Sequence, residues 1–108
     1  MTTPLVAQFR SRPGVVRIAR DGQPFVTIRV QVPEVWDVVR IETPATEPVA
    51  TIKAQALAAL YPEAESTDAF VLKLNGWEVL DESVSVADSG ARNGSTFLLT
   101  HRRRRPVR

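Results

Sequence analysis

The 108-residue chain contains no cysteine, which excludes disulfides, thiolate nucleophiles and cysteine-built metal sites. Its one histidine, His101, leaves a histidine-based triad or a histidine metal cluster without its parts. No apolar run approaches membrane-spanning length, and "MTTPLVAQFRSRPG" lacks the apolar centre of a secretory leader. Ser85, Ser89 and Ser95 have no base near them in sequence and read as turn residues. No catalytic residue, metal ligand or cofactor is assigned on these grounds, and a non-enzymatic, cytoplasmic protein is expected.

What is present suits one packed domain: 44% hydrophobic and 24% charged residues. The formal net charge of +2 conceals an asymmetry. Arg102, Arg103, Arg104, Arg105 and Arg108 supply five of fourteen basic side chains, so the remaining nine face twelve acids and leave a body near −3. The basicity belongs to a terminal segment and not to a binding face.

The period of the apolar residues gives the elements. Residues 1–24 form an extension with a candidate extra strand, in which Asp21-Gly22 suits a tight hairpin turn into the next segment. Val26, Ile28, Val30 and Val32 alternate with polar residues as a first strand. Val39, Ile41 and Thr43 do the same in a second, with Trp36 and Val38 assigned to its outward side. From Val49 to Leu60 the spacing turns helical, with Thr46 or Glu47 as N-cap, Pro48 at the first helical position and Pro62 beyond the end. Phe70, Leu72 and Leu74 mark a third strand, Asn75-Gly76 a hairpin turn, Trp77 to Leu80 a short return, and Ser95 to Thr100 the last strand. One helix must then cover one face of a mixed sheet, with the last strand beside the first. The expectation is an α+β fold of about four to five strands and one helix, with the domain at 25–101 and a basic tail at 102–108.

In this order the segments resemble the ubiquitin superfamily, a β-grasp fold, across roughly residues 25–104. The helix "VATIKAQAL" places apolar, apolar, lysine and apolar residues at the steps of the ubiquitin helix. "LKLNGWEVLD" looks like its third strand, glycine turn and short strand, and "VSVADSGARNGSTFLLTHRR" resembles its closing segment without a gap. Within the superfamily, Asp88, Gly90, Ala91, Asn93 and Gly94 match the pattern of the YukD/EsaB-like proteins. That resemblance implies a non-catalytic protein–protein interaction module, an accessory of a type VII (WXG100-type) secretion system. The alternative is a bacterial ubiquitin-like modifier or carrier acting with activating and conjugating enzymes and a JAB-type peptidase. Against it, Arg105-Pro106 stands where conjugated members carry Gly-Gly, and only Lys53 and Lys73 could accept an isopeptide bond.

The resemblance also directs attention to particular residues. Lys73 and Thr100 replace the isoleucine and valine of ubiquitin's apolar receptor patch, with Leu98 beside them. With Trp77 and Arg102, Arg103, Arg104, Arg105 and Arg108 they form the candidate partner-binding set. The arginines have two level readings, a solvated tail or a mobile docking element for an acidic protein surface or an anionic membrane. Nucleic acid ranks last, because no aromatics interleave with the run and the body is acidic. Lys53 falls on the apolar side of the helix and is expected to be buried and paired with Asp81 or Glu82, as a lysine at the matching step is in ubiquitin.

Overall fold

Alternation of buried and exposed residues builds the sheet. In the computed structural model, which describes residues 14–64 and 66–102, six strands share one sheet. They are β1 (Val15–Arg17), β2 (Val26–Val32), β3 (Asp37–Thr43), β4 (Phe70–Leu74), β5 (Trp77–Glu78) and β6 (Thr96–His101), ordered β1-β3-β2-β6-β4-β5. One helix, α1 (Val49–Leu60), follows β3. β2 and β3 pair antiparallel with Ile28 opposite Ile41 and Val30 opposite Val39, while β6 lies parallel to β2 and antiparallel to β4. The last strand thus lies beside the first long one, in the centre of a mixed sheet. The architecture is α+β and of the β-grasp type.

Ile28, Val30, Val32, Val39, Ile41, Leu72, Phe97 and Leu99 from the sheet meet Val49, Ile52, Ala56 and Leu57 of the helix in one core. Val86 and Ala91, from the connection before β6, close it. Val26 and Leu60, expected inside, are only partly buried at its margin. Asn75 and Gly76 both take positive φ, 56° and 86°, the pairing that a primed two-residue turn requires.

Four expectations from sequence need correction. β1 does form, but it pairs parallel with β3 and not as a hairpin with β2. Both edges of β2 are already taken, by β3 and β6, so no vacancy is left for a hairpin partner. Asp21-Gly22 instead sits in a local turn, closed by Gln23 N–H donating to the Arg20 carbonyl at 2.9 Å. The strands number six, against about four to five expected, because the candidate extra strand of the extension joins the sheet as β1. The return strand stops at Glu78 and leaves Leu80 in solvent.

The fourth correction concerns the helix start. Pro48 occupies the cap, with no side-chain cap hydrogen bond from Thr46 or Glu47. Val49 N–H donates to the Val84 carbonyl and Ala50 N–H to the Glu82 carbonyl, each at 2.8 Å. Residues 82–87 run back along 45–50 as a clasp, held further by Val86 N–H to Glu47 O and Ala87 N–H to Ala45 O, both 2.9 Å. Orphan donors at a helix start need an acceptor, and here a distant backbone supplies it.

Candidate interaction surface

Two faces of the sheet differ in kind. The face under α1 is apolar. On the opposite, outer face β1 presents Arg17, β2 presents Thr27, Arg29 and Gln31, and β3 presents Val38, Arg40 and Glu42. β4 adds Lys73, β5 adds Glu78, and β6 adds Thr96, Leu98 and Thr100. The register places Leu98 between Gln31 and Lys73, with Thr100 opposite Val71. Lys73, Leu98 and Thr100 therefore share this face, each half-buried. Trp77 does not join them. It pairs with Leu74, a core-side residue, and stands at the far edge with 78% of its surface exposed.

The terminal arginines divide. Arg102 is part of the folded frame: its N–H donates to the Ala69 carbonyl at 2.6 Å and its Nε to the Asp68 carbonyl at 3.0 Å. Its guanidinium also lies 3.9 Å from the Glu78 carboxylate. The expectation that everything from residue 102 onward is a mobile appendage is thus corrected at Arg102, because a neighbouring turn presents two carbonyls to it. Arg103, Arg104, Arg105 and Arg108 lie outside the described residues. A chain ending at Arg102 is expected to melt close to the full chain. One ending at His101 should lose about 1–2 kcal/mol, the worth of two net hydrogen bonds, on comparison of urea midpoints.

The helix lysine is 3% exposed and reaches two other segments. Lys53 Nζ lies 2.7 Å from Glu82 Oε1 and donates to the Phe70 carbonyl at 3.0 Å. Asp81, the other acid expected near it, turns to Ser83, whose hydroxyl and N–H both bond Asp81 Oδ1. That side-chain bond, with the backbone bond second, holds the Asp81 carboxyl below its ordinary range. A lowered value means the turn's contribution is full above the unfolded aspartate pKa and fades as pH falls through the folded one.

The serines build turns. Ser85 Oγ accepts from Asp88 N–H, Ser95 Oγ from Arg92 N–H, and Ser89 Oγ donates to the Val86 carbonyl. Asn93 and Gly94 join β6 to β2: Asn93 Oδ1 accepts from Thr27 N–H at 2.8 Å, and Gly94 N–H donates to the Thr27 carbonyl at 2.7 Å. Gly90 and Gly94 have φ of 99° and 92°, left-handed positions that steer the chain into β6. The "DSGARNG" stretch thus has structural work at most of its fixed positions. Among the described residues no cluster of three metal-ligating side chains occurs, and no helix is long and apolar enough to cross a membrane.

The position expected for Trp36 also needs correction. Trp36 does not lie on the outward face of β3. It follows a 3-10 turn, Pro33–Val35, at the tip of the β2–β3 hairpin, with φ 53°, ψ 42° and 92% of its surface exposed. Its N–H donates to the Pro33 carbonyl at 3.0 Å, which fixes the turn. Pro-Glu-Val-Trp reads as a turn from sequence, and Trp36 belongs to that turn and not to the strand after it.

No protein-family model and no curated protein matches the chain. Solved structures do. The chain is similar to the ubiquitin-like domain of an Arabidopsis thaliana protein solved by NMR, at 15% identity and TM-score 0.63, covering 84% of this chain and 92% of that one. It is similar also to the ubiquitin of Caldiarchaeum subterraneum, at 15% identity and TM-score 0.62, covering 77% of this chain and all of that one. At such identities the likeness is one of fold. Strand order, the covering helix and these neighbours together show that the chain has a ubiquitin-like β-grasp fold.

Proposed function

We propose that the chain is a non-catalytic protein-interaction module in which Trp36 is the contact anchor. The observation that carries this is the conjunction of conformation and exposure at that residue. A left-handed backbone disfavours a non-glycine residue by roughly 1–2 kcal/mol, and an indole in open solvent returns nothing to the fold. Tryptophan is enriched among residues that dominate binding energy, where burial against a partner offsets such a cost. Replacing Trp36 by asparagine, which tolerates left-handed backbone, should leave the melting temperature unchanged or raised. Affinity capture from the native host should at the same time lose a specific partner. A drop in stability would make Trp36 a structural residue, and an unchanged set of captured proteins would remove it from the contact.

The finer reading, an accessory of a type VII secretion system working from the cytoplasm, is supported by the likeness of Asp88, Gly90, Ala91, Asn93 and Gly94 to the YukD/EsaB pattern. Capture of secretion-apparatus subunits through Trp36 would carry it. Capture of activating or conjugating enzymes instead would favour the modifier reading.

A further inference from the structure

The outer face of the sheet carries a charge arrangement that the fold itself does not use. At the strand positions of this face stand four cations, Arg17, Arg29, Arg40 and Lys73, and two acids, Glu42 and Glu78. Each acid is matched. Glu42 meets Arg17 at 2.6 Å, and Glu78 stands directly opposite Lys73. The remaining two cations face each other: Arg29 is the register partner of Arg40, and both are exposed. Neither makes an ion pair or side-chain hydrogen bond among the described residues.

Like charges directly opposite across two strands destabilise a sheet. A shortage of acids does not explain the arrangement, because the described residues hold eleven acids against eight lysines and arginines. Most acids lie elsewhere: Glu47, Asp81, Glu82 and Asp88 line the clasp at the helix start, Glu63 and Asp68 follow the helix end, and the two at the hairpin tip, Glu34 and Asp37, accept backbone N–H groups of His101 and Val38. Two unmatched cations of an acidic domain thus stand directly opposite each other on one hairpin. Beside the pair lie Val38, 40% exposed and opposite Gln31, and at the hairpin tip Trp36.

We infer that the β2–β3 hairpin is a docking surface for a carboxylate-bearing peptide segment of a partner protein. Arg29 and Arg40 clamp its acidic side chains, while Val38 and Trp36 take its apolar ones. Opposed side chains have Cβ atoms about 5 Å apart, close enough for two planar guanidinium forks to share one carboxylate or grip two neighbours. A bound acid would relieve the Arg29–Arg40 repulsion, so affinity and relief act together. The inference rests on the interaction-module reading and adds the chemistry of the partner.

The test uses the full chain and a fluorescent synthetic peptide of alternating glutamate and leucine, with its glutamine counterpart as control. The parent protein should bind the glutamate peptide and not the glutamine one, and binding should weaken with added salt. The double variant R29Q/R40Q should bind about tenfold or more weakly, as the loss of a charge-assisted contact predicts, while melting no lower than the parent. The variant R20Q, whose arginine is exposed outside the hairpin, should bind like the parent. Equal binding by R29Q/R40Q, or a lower melting temperature, overturns the inference. So does tighter binding to duplex DNA than to the peptide, which would make the site one for phosphates. Concentration-dependent self-association lost in R29Q/R40Q overturns it too, by making a second copy the occupant. If Trp36→Asn abolishes partner capture while R29Q/R40Q does not, the interaction module stands and only the acidic partner falls.

Discussion

Leu72→Ala should lower the stability of the domain by about 2–5 kcal/mol, and Leu99→Ala by a similar amount. Both side chains are fully buried, and they stand directly opposite each other on β4 and β6, beneath the helix. Truncation removes apolar contacts and leaves a void in a sheet centre bounded by strands on both sides, where collapse is difficult. Because the two leucines share one space, the double variant should lose less than the sum of the single ones. Leu80→Ala, at a side chain 84% exposed, should stay within about 0.5 kcal/mol of the parent and serves as the control. Urea unfolding checks all four. Parent-like midpoints for both core variants would remove Leu72 and Leu99 from the core.

The second large effect is an asymmetry at the buried lysine. Glu82→Ala leaves the Lys53 ammonium enclosed with a backbone carbonyl as its remaining partner, the Phe70 oxygen at 3.0 Å. Removing one member of a buried pair typically costs about 3–5 kcal/mol. The lower end is expected here, since the Glu82 side chain is 21% exposed and water can follow its removal. Lys53→Met removes the charge instead of stranding it and keeps an apolar stem of similar length in the core. Such replacements are often neutral or stabilising. Glu82→Ala should therefore be the less stable of the two by denaturant titration at neutral pH. The reverse order would mean that the attraction within the pair outweighs its desolvation.

Much of this was readable in the residues. Ile28 and Val30 against Ile41 and Val39 announce two strands with one buried face, and Asn75-Gly76 announces a turn that needs two positive φ angles. Lys53 declared itself by sitting where the helical period calls for an apolar side chain. The misreadings have a common physical source. Alternation reports which residues share a face but not which strand edge is vacant, so it points β1 to its sequence neighbour β2 although only β3 has room. Local sequence likewise could not reveal that the helix start is capped by carbonyls of Glu82 and Val84, more than thirty residues downstream. Trp77 and Lys73 belong to one candidate contact set by residue type and exposure, yet the register of a two-residue strand sends them to opposite sides of the sheet. Arg29 and Arg40 each looked like an ordinary solvent-facing residue, and only pairing makes them a site.

The central position of β6 has a consequence for the order in which the molecule is assembled on the ribosome. β2 and β4 lie on either side of a gap that only Thr96–His101 fills. The bond that begins the filling, Asn93 to Thr27, spans 66 residues. Until that segment emerges, the β2–β3 hairpin and β4 each keep an unpaired edge next to exposed valines and leucines, the condition under which strands join across chains. Folding must wait for the final strand and then close by a long-range, parallel pairing, which is intrinsically slow. Synthesis arrested before residue 96 would leave an aggregation-prone intermediate in place of a shorter domain.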